Sequence, residues 1–410
     1  MPALKRVFDP IHHFIELSAQ EARLLDCDVM QRLRRLRQLG LAYLAYPSAE
    51  HSRFSHALGA FALGSRVFET LVVHSPEFLG TPQEIAYQRR LVRAALLLHD
   101  IGHGPFSHAC EAVLGIKHEE RTRAMLELPR MRILLGDLDV EVGDVLELVT
   151  GGAQNRYPVL TEIVSGPNLD ADRMDYLLRD AYFTGVASGR YDSEQLLGSL
   201  RVFSGPSGPV LGIDSRGVVA LESFVLARYM MFATVYFHHT TRMFERILQD
   251  ALRELWTRPT DLDDINVFLG WDDFRVMNEL RESPSLHARA LRERLRLYAV
   301  AAEFNAQDDL ATYEECEAAL RARFGGAVWA DAQEQLMHRL PLGSNNDRHT
   351  VYVGTPSGLT DASEASDLIK RLSGKAYWRK LFVERSEADA AAARTLCRTI
   401  TTTHRKRAAE

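Results

Sequence analysis

The sequence predicts a mainly α-helical protein with short β-hairpins and a small C-terminal α+β region. Apolar residues recur at helical spacing through most of the N-terminal part of the chain. Residues 7–17 alternate apolar and polar positions around a proline, and residues 200–219 are rich in Pro and Gly, as in β-hairpins. After Trp256, strand-like runs alternate with helical ones. We therefore expect a helical core in residues 1–255 and an oligomerisation or regulatory region in residues 256–410.

The composition excludes several classes of protein. The chain has 410 residues, of which 46% are hydrophobic and 25% charged, as in globular proteins too large for one ordinary core. A net charge of −6 gives no overall attraction to nucleic acid. The four cysteines form no Cys-x-x-Cys pair, against a zinc ribbon or a disulfide framework. Since no apolar run reaches about 18 residues and no signal-peptide pattern is present, we expect a cytoplasmic protein outside the membrane.

Helix signals begin at Ser18. Ser18 and Glu21 form a capping-box pattern, and residues 27–39 place apolar side chains on one stripe. The arginines of that segment fit either a solvated face with salt bridges or a surface that binds phosphate or a partner: Arg32, Arg34, Arg35 and Arg37. Further helices are predicted at residues 51–75, 85–100, 118–128, 139–150, 157–165, 170–183 and 220–255.

The C-terminal region mixes helices and strands. Helices are predicted at residues 271–282, 285–303, 362–372 and 386–399, and strands at residues 350–353 and 377–384. The polar, basic tail at residues 401–407 is expected to fray. We interpret this mixture as a small α+β region.

Residues 96–108 hold the chemically most informative stretch. An apolar run of helix-favouring residues ends abruptly at His99 and Asp100, and glycines and a proline then stop the helix. A buried helix rarely ends in this way for packing reasons alone. We therefore interpret the helix as delivering an adjacent His-Asp pair to a metal.

Two other segments supply the same residue types. One begins a helix with His51 and His56, and the other carries Asp170, Asp172 and Asp175 near a helical N-terminus. Neutral imidazoles and carboxylates suit a divalent metal that keeps positions open for water and substrate. Ligands on three helices suit a helical bundle, although periodicity alone cannot show that they converge.

Together these motifs resemble the HD-domain phosphohydrolase superfamily, and within it the deoxynucleoside triphosphate triphosphohydrolase-like branch. The match covers roughly residues 5–250, in order and at plausible spacing. It comprises Asp9-Pro-Ile-His12, Gln31-Arg-Leu-Arg34, Gln38-Leu-Gly40, His51-x-Arg-Phe-x-His56, His99-Asp-Ile-Gly-His-Gly-Pro-Phe-Ser-His108, His118-Glu119, Asp170-x-Asp172-x-x-Asp-Tyr176 and Arg179-Asp180. The resemblance implies the HD-domain helical bundle as the fold.

The resemblance also implies one divalent metal ion with four protein ligands: His56, His99, Asp100 and Asp172. Iron, manganese, nickel and magnesium suit such a set to different extents. A second magnesium ion on the substrate phosphates is a further option.

For catalysis, the resemblance assigns general-acid work to His118, which Glu111 holds in place. A histidine oriented by a carboxylate, with a pKa near about 6.5, is able to protonate a leaving oxygen. His103, His108 and Arg53 are expected to contact phosphate oxygens, and an arginine does so through two parallel hydrogen bonds. For His108, a hydrogen bond that only stabilises the loop is the alternative.

The nucleotide pocket implied by the resemblance contains Gln38, Arg173, Tyr176, Asp180, Arg228 and Tyr236. Gln38 and Asp180 are expected to bond the sugar 3′-hydroxyl, and Tyr236 to stack under the sugar and exclude a 2′-hydroxyl. Two departures from the vertebrate pattern put substrate selection in question. Phe237 stands where that pattern has a polar amide, and Arg173 where it has a lysine.

Regulation is predicted from a shorter match. Asp26, Gln31 and Arg34 match residues through which the vertebrate relative binds an activating guanine nucleotide, whereas Phe8 replaces an asparagine. A nucleotide activator and a homo-oligomer, either a dimer or a tetramer, are therefore predictions. The C-terminal region carries no resemblance that extends them.

The predicted function is a metal-dependent nucleotide phosphohydrolase that converts dNTPs to deoxynucleoside and triphosphate by water attack on the α-phosphorus. One alternative is the same site acting on another nucleotide phosphate, such as a nucleoside monophosphate or a dinucleoside polyphosphate. An alternative from a different class is a nucleotide- or nucleic-acid-binding regulator with a vestigial site, in which Arg32 to Arg37 contact phosphates.

Overall fold

The computed structural model describes residues 5–151, 156–206, 208–257, 262–304, 310–338, 351–372, 374–384 and 386–409. The helices up to residue 199 are α1 Ala19–Leu25, α2 Asp28–Arg32, α3 Arg53–His74, α4 Pro82–Leu98, α5 His108–Leu114, α6 His118–Leu126, α7 Pro129–Asp137, α8 Val142–Thr150, α9 Pro158–Ser165, α10 Ala171–Thr184 and α11 Ser193–Ser199. The later helices are α12 Val218–Met231, α13 His239–Leu255, α14 Ile265–Leu269, α15 Asp273–Glu282, α16 Leu286–Glu293, α17 Leu310–Phe324, α18 Ala362–Ala365, α19 Asp367–Leu372 and α20 Glu387–Ala409. A π-helical segment, Phe232–Tyr236, follows α12.

The strands form three small sheets. They are β1 Lys5–Asp9, β2 His13–Leu17, β3 Leu200–Gly205, β4 Gly208–Asp214, β5 Tyr298–Phe304, β6 Val328–His338, β7 Tyr352–Thr355, β8 Gly358–Asp361 and β9 Gly374–Glu384. β1 and β2 form an antiparallel hairpin in which Lys5 faces Leu17. The second sheet has the order β3-β4-β7-β8, with β4 and β7 parallel, and the third has the antiparallel order β5-β9-β6.

Three capped helices position the candidate site. Ser52 caps α3, Thr81 forms a capping box with Glu84 at the start of α4, and Asp170 caps α10. α3 packs against both α4 and α10, and glycine permits the close approach. A Cβ atom at Gly64 would lie 2.3 Å from a methyl carbon of Leu96 on α4. The start of α3, the end of α4 and the start of α10 consequently meet.

Hydrophobic side chains form two buried clusters. The larger one contains the helices of the N-terminal region and continues beyond residue 255 through Phe268, Val276 and Leu291. The smaller one, which includes Phe304 and Leu381, joins β5, α17, β6, β9 and α20. The division at residue 255 stays a prediction, and the larger cluster crosses it.

The mainly α class, with an HD-type bundle and a C-terminal α+β region, is confirmed. The predicted hairpins appear as β1-β2 and β3-β4, and Ser18 with Glu21 forms the predicted capping box. Because these features depend on local spacing and turn residues, the sequence alone was enough to predict them. Residue 350 of the predicted strand at 350–353 lies outside the described residues, and β7 covers its end.

Four local predictions are wrong. The helix predicted at residues 285–303 ends at Glu293, and the following segment pairs with β9 as β5. The tail at 401–407 belongs to α20, which is anchored by buried Ala393 and Cys397. The helix predicted at 27–39 ends early, because the chain becomes extended at Leu36. The helix predicted at 220–255 is interrupted after the π-helical segment.

A further expectation concerned the membrane. In the described part of the chain, the helical run Ser215–Tyr236 is long and apolar enough to span a bilayer by length and composition, with a mean hydropathy of 1.6. Glu222 and Arg228 interrupt this run, and the core helix of a soluble protein meets the same criterion. Of this window, 44% is buried inside the protein, and Phe224 and Met231 belong to the larger core cluster.

Gly59 gives the first testable prediction. An added Cβ would lie 2.0 Å from Asp175 Oδ1 and 2.2 Å from Arg179 Nη2, two atoms of a buried ion pair. We expect Gly59→Ala to lower the free energy of unfolding by about 1–3 kcal/mol, as measured by urea denaturation.

The matched control for this change is Gly136→Ala in α7, where an added Cβ meets nothing within 4 Å. The control should be neutral or stabilising by about 0.5–1 kcal/mol, because Gly is costly inside a helix. Equal stability of Gly59→Ala and wild type would contradict the close packing of α3 on α10.

Candidate metal centre and substrate cavity

The starts of α3 and α10 and the end of α4 bring three potential metal donors together. His56 Nε2 lies 3.2 Å from His99 Nε2 and 2.9 Å from Asp172 Oδ1. His99 Nε2 lies 3.8 Å from the same Asp172 oxygen. Asp100 lies beside them, with Oδ1 at 3.6 Å from His99 Nε2 and Oδ2 at 3.9 Å from His56 Nε2. Three of the four predicted ligands therefore form one cluster that could hold a metal ion, and Asp100 adjoins it.

The protonation of the two imidazoles favours a cation at this point. His99 Nδ1 lies 2.8 Å from the Leu96 carbonyl, which only accepts, so this nitrogen carries the hydrogen. His56 Nδ1 donates in the same way to Asp175 at 2.8 Å. Both Nε2 atoms then present lone pairs to each other, an arrangement that requires a proton or a metal cation between them.

The donor set also fits a divalent metal in number and spacing. Ligands at about 2.1 Å from a metal and at right angles to one another are about 3 Å apart, close to the observed separations. Two carboxylates balance the charge of a divalent ion. Burial lowers the pKa of His56, but the bonds to Asp172 and Asp175 outweigh burial and raise it to about 10, so a metal would displace a proton here.

Asp175 lies directly behind His56 and is fully buried. Its carboxylate accepts from His12 Nε2 at 2.6 Å, His56 Nδ1 at 2.8 Å and Arg179 Nε at 2.8 Å. Burial would raise the pKa of Asp175, but Arg179, His12 and His56 hold it well below its usual range. A carboxylate in this position fixes the ring orientation of a metal-binding histidine.

A second group of titratable side chains lies beside the first. His118 Nδ1 donates to Glu111 Oε1 at 2.9 Å, and the rings of His103 and His118 stack with centroids 4.1 Å apart. Burial lowers the pKa of His118, but the Glu111 carboxylate outweighs this effect and raises it. The exposed His108 also reaches Glu111, at 3.4 Å. Glu111 thus orients the His118 imidazole and favours its charged form, which suits a proton donor.

Arg53 joins the metal donors to a neighbouring cavity. Its guanidinium donates to Asp100 at 2.6 Å and to the Ser107 hydroxyl at 2.9 and 2.7 Å. The cavity has a volume of about 510 Å³, which lies in the range of small-molecule sites. Six predicted site residues line it: Gln38, Arg53, His108, Tyr176, Asp180 and Tyr236.

Several hydrogen bonds order this cavity. Asp180 accepts from Tyr236 at 2.8 Å and contacts His51 Nε2 at 2.8 Å. Gln38 presents a buried side-chain oxygen that has no partner among the described residues. Tyr176 packs edge-on against Tyr236, with ring centroids 6.0 Å apart. The cavity therefore offers a carboxylate, an amide and two aromatic rings to one ligand.

The chain is similar to known proteins in sequence and in structure. A family model described as an HD associated region matches residues 192–379. An uncharacterized protein of Methanocaldococcus jannaschii is 30% identical over 383 residues, which cover 90% of this chain and 76% of that protein. The chain belongs to the HD-domain phosphohydrolase superfamily, in its dNTP triphosphohydrolase-like family.

Other relatives are similar over shorter regions. The uncharacterized protein YwfO of Bacillus subtilis is 38% identical over 260 residues, or 60% of this chain and 55% of that protein. A Dictyostelium discoideum homolog of the deoxynucleoside triphosphate triphosphohydrolase SAMHD1 is 30% identical over 266 residues, or 61% and 49%. This chain thus spans about half the length of these two relatives. A solved phosphohydrolase structure from Bacteroides thetaiotaomicron has a TM-score of 0.74 at 26% identity, covering 93% of this chain and all of that one.

Two predicted pocket residues lie elsewhere in the HD domain. Arg173 donates to the Asp170 carboxylate and to the Gly166 carbonyl. Burial raises the pKa of Tyr176, and the charges of Arg228 and Arg173 oppose this rise. The two arginines therefore lie beside Tyr176, although neither is among the residues that line the cavity in the described structure.

Of the arginines in residues 32–37, Arg32 fits neither predicted alternative. It is 1% exposed, donates to the His103 carbonyl at 2.8 Å and to the Trp271 carbonyl at 3.0 Å, and lies over the Phe268 ring. The loop between α4 and α5, residues 99–107, is here called the HD loop. Arg32 therefore ties the HD loop to the segment around α14. Arg35 instead forms an ion pair with Asp272, as expected for a solvated face.

Asp273 is a site residue that sequence reasoning missed. Its carboxylate accepts from the backbone N–H of Phe106 at 2.8 Å and of Arg37 at 2.9 Å. Phe106 and Ser107 both have positive φ angles, of 52° and 51°, which cost non-glycine residues about 1–3 kcal/mol each. Asp273 and Arg53 thus hold the strained HD loop. No motif near Asp273 marks this role, since its partners are distant in sequence.

Asp26, Gln31 and Arg34, which are predicted to bind an activator, all have side-chain partners within the protein. Lys5 pairs with Asp26 at 2.8 Å, and Arg34 donates to Gln31 at 2.8 Å. Arg34 also covers the ring of Phe54. Activator binding stays a prediction.

Asp175 gives a prediction about the metal. Replacing Asp175 by Asn weakens its bond to the His56 imidazole, and loss of such an outer-shell carboxylate typically lowers metal affinity about 10–100-fold. Metal content by plasma mass spectrometry and competition with a chelator measure the change. The control is Asp139→Asn, at an exposed carboxylate that pairs with Arg90. Unchanged metal affinity in a folded Asp175→Asn protein would contradict the arrangement.

Proposed function

We propose that this protein is a metal-dependent phosphohydrolase that converts dNTPs to deoxynucleoside and inorganic triphosphate. The observation that carries the proposal is the convergence of His56, His99, Asp100 and Asp172, joined by Arg53 to a nucleotide-sized cavity. The likeness to a relative named as a deoxynucleoside triphosphate triphosphohydrolase supports the choice of substrate.

The chemistry divides between the metal and the protein. A divalent ion held by the four donors would polarise a phosphoryl oxygen and lower the pKa of a water molecule. A water molecule releases a proton to solvent, its oxygen bonds to the α-phosphorus, and the bond from that phosphorus to the sugar 5′-oxygen breaks. His118 transfers its proton to the departing 5′-oxygen, while Glu111 keeps the imidazole oriented. Deoxynucleoside and triphosphate then leave.

The cavity residues divide the substrate between them. Arg53 and His108 contact the phosphates, and His103 lies between Asp100 and Glu111 at 3.3 and 3.5 Å, where it links the two groups of titratable residues. Gln38 and Asp180 hold the sugar 3′-hydroxyl. Tyr236, fixed by its bond to Asp180, packs against the sugar and leaves no room for a 2′-hydroxyl. The positive charges of Arg228 and Arg173 act on the Tyr176 hydroxyl and oppose the rise of its pKa on burial.

Two alternative functions are another nucleotide phosphate as the substrate and a binding regulator without catalysis. Phe237 lines the cavity, and its apolar ring would also accommodate a nucleoside monophosphate or a dinucleoside polyphosphate. A regulator with a vestigial site would need no complete donor set, which argues against that class. The metal (iron, manganese, nickel or magnesium), a second magnesium ion, the homo-oligomer, the activator and the cytoplasmic location stay predictions.

Product identity tests the reaction. Incubation with Mn²⁺ and each dNTP should release deoxynucleoside and tripolyphosphate in equal amounts, as resolved by ion-exchange chromatography. The double variant His99→Ala, Asp100→Ala should lose bound metal and hydrolysis together. Release of only orthophosphate or pyrophosphate would refute the triphosphohydrolase reaction, and hydrolysis that persists without the two donors would refute the metal site.

The pairing of His118 with Glu111 predicts a pH dependence. Because the acid must be protonated, kcat should fall as the pH rises through the pKa of His118, which lies above its ordinary value. Glu111→Gln removes the carboxylate that raises this pKa. The alkaline fall should therefore move to lower pH, and kcat should drop about 10- to 100-fold or more.

The matched control is Glu120→Gln, an exposed residue two positions after His118. Its profile of kcat against pH should coincide with that of wild type. An alkaline limb that stays in place in Glu111→Gln would assign the proton transfer to another group.

A further inference from the structure

The substrate cavity extends from the metal donors to the C-terminal sheet. Of the residues that line it, Arg53 bonds Asp100. The lining also includes Arg242 and Glu245 of α13 and Gln333 of β6, and Asp331 of the C-terminal sheet holds Arg242. In the proposed function, Arg53, His108, Gln38 and Asp180 bind the phosphates and the sugar. The remaining polar group, Arg242, Glu245 and Gln333, is then left for the nucleobase and is here called the base end. The inference below rests on that function and identifies the base.

A buried carboxylate fixes the polar side chains at the base end. Asp331 is 3% exposed and accepts from Arg242 Nε at 3.0 Å and Nη2 at 2.8 Å. It also accepts from Gln333 Nε2 at 2.8 Å. Arg242 Nη1 donates to Glu245 Oε2 at 2.5 Å. The three lining side chains are thus oriented by one another and by Asp331.

Hydrogen-bonding capacity remains on all three lining side chains. Over the part of the chain that the structure describes, no partner is seen for Glu245 Oε1 or Gln333 Oε1. Arg242 has five N–H groups, and three of them are used. Counting only bonds among the described residues, the base end offers one carboxylate oxygen, one amide oxygen and two guanidinium N–H groups to a ligand.

This pattern matches one nucleobase. The Watson–Crick edge of guanine has one acceptor, O6, followed by two donors, N1–H and N2–H. Adenine and cytosine place a ring-nitrogen acceptor beside their single amino group, and thymine flanks its one N–H with two carbonyls. An acceptor facing the Glu245 carboxylate leaves both groups unpaired and repelled, which is costly in a partly buried site.

We propose that Glu245, Gln333 and Arg242 read guanine, which makes dGTP the preferred substrate. Glu245 and Gln333 accept from N1–H and N2–H, and Arg242 donates to O6. Phe232 and Phe237, whose rings lie 5.3 Å apart, supply the apolar wall against which a base packs. Phe237 offers the base an apolar surface in place of the polar amide of the vertebrate pattern. The hydrogen bonds to the base are then made by Glu245 and Arg242 of α13 and by Gln333 of β6.

Substrate competition tests the proposal on the full-length, metal-loaded protein. The kcat/KM for deoxynucleoside release is measured for dGTP, dATP, dCTP, dTTP and dITP, which lacks only the N2 amino group of guanine. Wild type should prefer dGTP by about 10-fold or more, with dITP intermediate. Glu245→Gln should lower kcat/KM for dGTP about 10- to 100-fold and change the other bases by less than about 3-fold.

Two further variants keep the result interpretable. Gln333→Ala should bring the kcat/KM values for dGTP and dITP closer together, because an acceptor for the N2 amino group is lost. This result is available even if Glu245→Gln fails to fold. Glu194→Gln, at an exposed residue paired with Arg66, is the matched control and should keep the selectivity of wild type.

The outcomes separate this inference from the function on which it rests. Equal kcat/KM for the four dNTPs in wild type, or an equal loss for all bases in Glu245→Gln, overturns guanine reading and leaves the triphosphohydrolase reaction intact. If no dNTP yields tripolyphosphate, the proposed function fails. Calorimetric binding of dGTP and dATP to wild type and Glu245→Gln then decides the inference alone.

Discussion

The buried carboxylate of Asp175 is the contact on which the HD site depends, because it fixes groups from three parts of the chain. It holds His12 of the N-terminal hairpin, His56 of α3 and Arg179 of its own helix. Arg179 also donates to the carboxylate of Asp9 at 2.8 Å. A buried ion pair of this kind adds little stability over apolar packing, but losing one partner is costly. The network therefore specifies the position of the His56 ring more than it strengthens the fold.

A second constraint acts on the HD loop and comes from beyond residue 255. The backbone at Phe106 and Ser107 is strained, and Asp273 and Arg53 hold it through hydrogen bonds to Phe106 N–H and the Ser107 hydroxyl. Arg32 holds the same loop at His103. The segment from α14 to α15 thus helps to hold the HD loop. The C-terminal region therefore has a structural role that needs no partner subunit.

The difference between what the sequence predicts and what it misses has a physical basis. The cluster of His56, His99 and Asp172, which could hold a metal ion, was predictable because potential metal donors are of a few residue types and here stand near helix ends in a set order. The burial of Arg32 was not predictable. Periodicity indicates which face of a helix a residue occupies, but not which distant carbonyl groups its side chain bonds. Likewise β5 exists because of its pairing with β9, about 80 residues away, and local spacing carries no trace of that partner.

The base end of the cavity shows how a buried charge keeps a neighbouring group available. Arg242 carries one positive charge and faces two carboxylates, Asp331 and Glu245. Because Asp331 accepts from two of its nitrogens, Arg242 needs only one oxygen of Glu245. Without Asp331, the guanidinium would take both oxygens of Glu245 in a bidentate pair, and no acceptor would face the base. Asp331 belongs to the C-terminal sheet, so under the proposed function a change in that sheet alone would alter base selectivity without touching the predicted metal donors.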